Sequence, residues 1–193
     1  MKNRLLHYCT FTLTLLFLSA CSSIASDQPS IAEQRQEVLT MKDNVLNELY
    51  KLKPDTRSQL AKAPGYAVFS NVNINLILAS FGGGHGVVKN NRNGKHTFMK
   101  MGEAGVGLGL GAKDFRVVFV FHTADVMTRF IESGWAFGAQ ADAAAKASEK
   151  GAAIGGEITA DNFTIYQLTQ SGLALQATVK GTKYWVDEDL NGQ

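Results

Sequence analysis

Gly105-Val-Gly-Leu-Gly-Leu-Gly111 is the stretch on which the fold turns. Glycine alternates with Val106, Leu108 and Leu110, and a period of two is strand spacing. One face of such a strand is apolar and the other carries no side chains, so a backbone, an aromatic ring or a ligand can approach it closely. Upstream, Tyr66 to Val72 and Ile74 to Phe81 are short runs rich in apolar, β-branched and aromatic residues, and read as strands. Gly82-Gly-Gly-His-Gly86 then separates Phe81 from Val87-Val88-Lys89. Asn90-Asn-Arg-Asn-Gly94 contains an Asn-Gly pair, a strong hairpin signal, and Lys95 to Met101 returns as the partner. Downstream, Arg116-Val-Val-Phe-Val-Phe-His122 is apolar on both faces and belongs in the middle of a sheet. The spacing of Val126, Met127, Phe130 and Ile131 predicts a helix over 123–132, capped by Thr123 and ended by Gly134. From Trp135 onward the alanines favour helix, whereas Trp135, Phe137, Ala139 and Ala141 alternate as in a strand. The strand reading is preferred, and 135–153 stays open between the two. Asn162 to Leu168 and Leu173 to Val179 read as a closing hairpin around Gln170-Ser171-Gly172.

All 19 glycines lie at or after Gly65, and the three prolines (Pro29, Pro54, Pro64) lie before it. The leader therefore differs in kind from the body. Ser30-Ile-Ala-Glu33 has the form of a capping box. Ile31, Val38, Val45, Leu46 and Leu49 follow at helical spacing until Pro54 stops the helix. Asp55 or Thr56 can cap a second short helix running to about Ala63. The first helix is expected to pack on its own domain rather than on lipid, because Glu33, Glu37, Asp43 and Glu48 dilute any cationic face.

The first twenty residues hold Lys2 and Arg4 and no acid, followed by an apolar run from Phe11 that is too short to span a bilayer as a helix. Leu18-Ser19-Ala20-Cys21 resembles the lipobox of bacterial lipoproteins, in which the chain is cut before a cysteine that becomes acylated. The alternative is an ordinary secretory signal cut after Ala25. The lipobox reading is preferred because Cys21 sits where the apolar run ends. Cys9 then leaves with the peptide and no thiol remains free. Ser22 after the cysteine resembles the outer-membrane sorting pattern.

The chain has 193 residues, 45% of them hydrophobic and 19% charged, which is enough apolar material for one domain with a core. Without Lys2 and Arg4, the 19 basic residues come down to the number of acidic ones, 17. A balanced chain lacks the clustered positive charge that nucleic-acid binding requires. Two cysteines exclude a disulfide framework and a cysteine-based zinc site. The glycine clusters are not followed by the lysine and hydroxyl of a phosphate-binding loop, and they fall within strands rather than at a strand-to-helix turn. Asp187-Glu-Asp-Leu-Asn-Gly192 matches only the first half of a calcium loop and reads as a solvated acidic tail. His85, His96 and His122 are scattered, and no hydrolase or metalloprotease motif is present. No cofactor or metal is implied.

Two sets of residues remain as candidates for binding. Gly82, Gly84, Gly105, Gly107, Gly109 and Gly111 would let a ligand approach bare main chain. Lys89, Arg92, Lys95, His96 and Lys100 gather on one hairpin and could form a headgroup patch for lipid phosphates. A solvated strand edge is the plainer reading of those cations.

In order, Gly65-Tyr66-Ala67-Val68-Phe69, the glycines Gly82, Gly84 and Gly86 before Val87-Val88, and Gly107, Gly109 and Gly111 leading to Ala112-Lys113-Asp114-Phe115 make a recognisable series. The helix near Asp125 to Phe130, Tyr166, Ser171-Gly172-Leu173 and Gly181 complete it. The body from about Lys42 to Asn191 resembles the SYLF domain, bacterial lipoprotein subgroup. The resemblance implies a non-catalytic lipid-binding domain and transfers no headgroup-contacting residue. Eukaryotic members are associated with phosphoinositide-rich membranes and actin, and actin is an implausible partner for a protein anchored outside the bacterial cytoplasm.

The expected fold is α+β, with N-terminal helices packed on a glycine-rich, mainly antiparallel β-sheet and one further helix near 123–133. The expected organisation is a signal peptide over 1–20, a tether over 21–29 and a single domain over 30–193, glycine-rich from 65. The expected function is that of an envelope protein held at the outer membrane by acylated Cys21, facing the periplasm and binding phospholipid or another amphiphile. The alternative is a structural protein that binds another protein through a sheet edge.

Overall fold

The computed structural model describes residues 29–134, 153–154, 157–160, 162–169, 172–173 and 180–192. Cys21, the tether up to residue 28 and the ambiguous segment 135–152 lie outside the described residues. Helix α1, Ile31–Leu52, buries Val38, Val45, Leu46 and Leu49 along one stripe, and Pro54 follows its end. Its apolar face thus meets the protein's own sheet, as the acidic residues between those positions require. Helix α2 spans Thr56–Lys62. Asp55 holds the N-cap position but its side chain makes no cap bond. The Thr56 hydroxyl instead donates to Lys53 O at 2.6 Å.

Two 26-residue strands, β1 (Gly65–Asn90) and β2 (His96–Phe121), form one antiparallel hairpin from Gly65↔Phe121 to Lys89↔His96. The turn lies where Asn93-Gly94 places it. Gly94 adopts φ +73°, a conformation that favours glycine, and its N–H donates to Asn90 O at 2.9 Å. The Asn91 side-chain amide donates to Leu60 O and Ala63 O, which pins the turn to the end of α2. The expected division of β1 into separate strands is not observed. Gly82, Gly83 and Gly84 stay in the ladder opposite Glu103, Gly102 and Met101. A continuous partner strand supplies the hydrogen bonds that local propensity would not secure. One register shift, between Ile77 and Ala79, interrupts the pairing.

The glycines of β1 serve the chain itself. A methyl group on Gly84 would strike Ser70 O, one on Gly86 would strike Val68 O and the Phe69 ring, and one on Gly65 would lie 2.5 Å from Lys89 O. The two ends of β1 therefore double back beside each other, main chain against main chain.

The remaining strands are β3 (Ala153–Ile154), β4 (Glu157–Ala160), β5 (Phe163–Thr169), β6 (Gly172–Leu173) and β7 (Lys180–Val186). Together the seven make an antiparallel sheet in the order β1-β2-β5-β4-β3, with β6 on β5 and β7 on β2. The predicted closing hairpin is present in β5 and β6, while 174–179 lie outside the described residues. Strand β7 has no counterpart in the sequence reading. Its pairing with Met99–Gly105 is entirely non-local.

Strand β2 has neighbours on both edges, as its two-faced apolar run requires. Val118 and Val120 join Val68, Tyr166 and Leu168 beneath α1 and α2. Val117, Phe119 and Phe121 point the other way, into a cluster with Phe69 and Tyr184. Helix α3, Ala124–Ser133, closes that side with Phe130. Val126 N–H donates to Thr123 Oγ1, and Gly134 ends the helix at φ +55°, so both predicted signals operate. Phe69, Phe119, Phe130 and Tyr184 contact one another with ring centroids 4.7–6.1 Å apart. Such geometry adds about 0.5–1.5 kcal/mol per pair beyond area burial.

The segment read as a solvated acidic tail is docked. Asp187 is buried and accepts from Asp189 N–H and Leu190 N–H, capping the short helix α4, Glu188–Asn191. Asn191 exchanges hydrogen bonds with both backbone groups of Phe98, at 3.0 and 2.7 Å. Arg35 Nε donates to Leu190 O at 2.7 Å. Asp and Asn at these positions cap a helix and clamp it to β2, which the half-motif of a calcium loop had obscured.

Gly86→Ala places a methyl group against rigid backbone and is expected to lower stability by about 2–4 kcal/mol. A methyl on Gly83 meets nothing within 4 Å, so Gly83→Ala is expected to stay within about 0.5 kcal/mol of the parent. Urea unfolding midpoints at constant slope would check the contrast.

Candidate functional site

Three neighbouring strands carry the site. His85, Lys100 and Trp185 share one rung across β1, β2 and β7, and Gly83, Gly102 and Lys183 share the rung two residues away. Because side chains alternate, both rungs point to the same face. Val87 and Phe98, one step further along, are covered by Val38 of α1 and Leu190 of α4. Where α1 stops covering the sheet, a groove of about 670 Å³ opens. Its walls include Gln34 and Glu37 of α1, Trp185 of β7 and Asp187. Its floor is Gly82-Gly83-Gly84 and Gly102.

The floor is bare for two different reasons. Gly83 faces open space. Gly102 lies under the Trp185 indole, whose edge carbons stand 3.2 and 3.3 Å from where a side chain would begin. Trp185 remains 39% exposed, an unusual state for a large aromatic residue, so one part of the ring is seated and the rest faces solvent. Gly82 and Gly84, the residues singled out from sequence, contribute backbone to the lining. The close approach at Gly84 is made by Ser70 and Asn71 on the opposite face. Gly83 and Gly102 are the positions that face the groove, and strand alternation was the available signal. Gly105 pairs with Ser80 and Lys180 beyond the groove lining. Gly109 and Gly111 pair with Ile77 and Asn75 farther along the hairpin, and Gly107 falls in the register shift.

The candidate cations divide. Lys100 lines the groove, but its ammonium is held by Asp187 Oδ1 at 3.0 Å and Asp189 Oδ2 at 3.3 Å. The hydrogen bond it donates to Asp187 is the main cause of its raised pKa. Lys89 and His96 pair near the hairpin turn, about 13 Å along β1 from His85 at ~3.3 Å per residue, and Arg92 and Lys95 lie beyond them in the turn. Arg92 and Lys95 are exposed there, and the Asn91 clamp sets them beside Lys62 of α2. A basic end thus forms from two chain segments, apart from the groove.

His96 is half-buried, and its Nε2 has no hydrogen-bond partner among the described residues. Burial lowers its pKa from 6.5, and the nearby Lys42 and Lys89 lower it further against an opposing effect of Asp43. A base whose folded pKa is depressed binds fewer protons when folded. Stability is therefore expected to fall as pH drops through 6.5 and to level off below the folded value. His96→Gln should flatten that slope in thermal unfolding measured between pH 7.5 and 5.

Residues 102–193 match the family model Ysc84, described as Las17-binding protein actin regulator. Beta cell expansion factor A of Aeromonas veronii is 36% identical over 161 residues, covering 82% of this chain and 59% of that protein. The chain thus spans 59% of the length of the curated relative it matches. The matched region holds β2 from Gly102 onward, α3, β7 and α4, and so includes Gly102, Trp185 and Asp187 of the groove. Over residues 102–193 the chain belongs to the Ysc84 (SYLF) family.

Proposed function

We propose that the protein is a non-catalytic, membrane-tethered envelope protein that binds phospholipid or another amphiphile. Family membership supports a non-catalytic, lipid-binding role at the level of the family. The observation that carries the reading to this chain is the groove, an opening over side-chain-free backbone with a half-exposed indole as its wall. Apolar chains gain most from such a surface, because nothing projects from the floor to hold them off and about 25 cal/mol is gained per Å² buried. The basic end at Lys62, Arg92 and Lys95 supplies the attraction to an anionic bilayer, and the groove receives the individual molecule.

Acylation of Cys21 would make membrane residence permanent, since each buried methylene contributes about 0.8 kcal/mol. Outer-membrane sorting through Ser22 belongs to the same proposal. A second reading, protein binding through a sheet edge, draws on the family's description as a Las17-binding actin regulator. It also draws on β7, which pairs with β2 on one edge alone among the described strands.

Metabolic labelling with a radioactive fatty acid is expected to mark the wild-type protein and to leave Cys21→Ser unmarked. Equal label in both would remove the anchor. Protein beginning at Ser22 is expected to float with liposomes containing anionic phospholipid and to float less with neutral ones. The double variant Arg92→Glu/Lys95→Glu should reduce recovery severalfold at low salt. Equal recovery with and without anionic lipid would count against the basic end, and stoichiometric capture of one protein without lipid binding would favour the second reading.

A further inference from the structure

The groove's walls carry charge of one dominant sign, and that sign limits what kind of head group can enter. This deepens the amphiphile reading above and rests on it. Lys100 is the one Lys or Arg among the lining residues, and it is engaged by both Asp187 and Asp189. Glu37 also lines the groove, is exposed on α1, and has no ion-pair partner among the described residues. His85 and Gln34 complete the polar lining. Lys183 sits on the floor rung of β7 with its side chain exposed, outside the lining. An anionic head at the groove would face Glu37 and Asp187, with the one lining cation already held by Asp187 and Asp189, an arrangement that disfavours it.

An ammonium head meets the opposite conditions. The exposed part of the Trp185 ring offers a π face, which attracts a desolvated ammonium by ~0.5–2 kcal/mol. Glu37 offers a carboxylate with no competing ion-pair partner among the described residues. The bare floor at Gly83 and Gly102 lies beside both and can take the apolar chain. We propose that the groove binds an amphiphile whose head carries an ammonium group, with the cation between Glu37 and the Trp185 indole and the chain along the glycine floor. A zwitterionic phospholipid and a simple alkylamine share this chemistry. In the zwitterion, the phosphate would extend toward Lys183.

The chain has two tryptophans, Trp135 and Trp185; the second lines the groove, so a full-length Trp135→Phe protein leaves Trp185 as its one indole reporter. It would be titrated with dodecyltrimethylammonium, dodecylphosphocholine, dodecyl phosphate and dodecyl maltoside, each below its micelle concentration. The expected result is a saturable blue shift with the first two, at affinities about tenfold above the others, equivalent to ~1.4 kcal/mol. Dodecyltrimethylammonium and dodecylphosphocholine together separate the ammonium from the phosphate. Glu37→Gln should erase the preference and leave maltoside binding unchanged, while Glu132→Gln, a carboxylate on α3 outside the groove, should retain it. Isothermal titration of the unaltered protein with the same four compounds gives the same comparison should Trp135→Phe fail to fold. Equal affinity for all four, or tighter binding of dodecyl phosphate, overturns the head-group assignment and leaves the amphiphile reading standing. Absence of saturable binding by any of them overturns the groove as a ligand site.

Discussion

The architecture depends on main chain meeting main chain where glycine permits it. Gly65, Gly84 and Gly86 bring the two ends of β1 together at distances no side chain would allow. The long hairpin can then present one stretch beneath α1 and α2 and another beside β7. The aromatic cluster, the groove and the basic turn all inherit their positions from that close approach. Hydrophobic burial stabilises the result: Phe69, Phe119, Phe121 and Phe130 are each no more than 1% exposed. Burial alone would not choose this path for the chain, because it is non-directional.

Much of the fold was readable from local chemistry. Pro54 limits α1, Thr123 and Gly134 bracket α3, and Asn93-Gly94 marks the turn, because each acts within a few residues of itself. The misread elements are governed from a distance. Gly82 to Gly86 looks like a break because glycine weakens an isolated strand, yet β2 lies alongside and keeps the ladder intact. β7 mixes lysine, threonine and glycine with Tyr184 and Trp185, and becomes a strand only through its pairing with Met99–Gly105. Asp187 and Asn191 read as a half-formed ion loop, while their partners are their own helix and the backbone of Phe98.

The site shows the same division. Composition drew attention to the glycines and to the hairpin cations, and the structure gathers some of each. Which glycine faces the groove is a matter of parity along the strand, and it selects Gly83 over its neighbours. That Gly102 belongs with it depends on an indole from β7 lying across it. Lys100 looks like a member of the cationic set in the sequence. Its charge is spent on two carboxylates that arrive from the far end of the chain. A patch defined by spacing therefore separates into a basic end and a groove of the opposite character.

The clamp that joins Arg35 to Leu190 connects residues 155 positions apart. One wall of the groove is made in synthesis well before the other. In a chain emerging N-terminus first, Val38 of α1 can meet Val87 and Phe98 of the hairpin well before Leu190 has followed. Closing so wide a loop is slow, since the entropy of bringing distant segments together is lost before their contacts form. The groove is thus complete only once β7 joins the sheet, and a polypeptide interrupted before Trp185 would possess most of the sheet and the α1 wall without the indole that faces it.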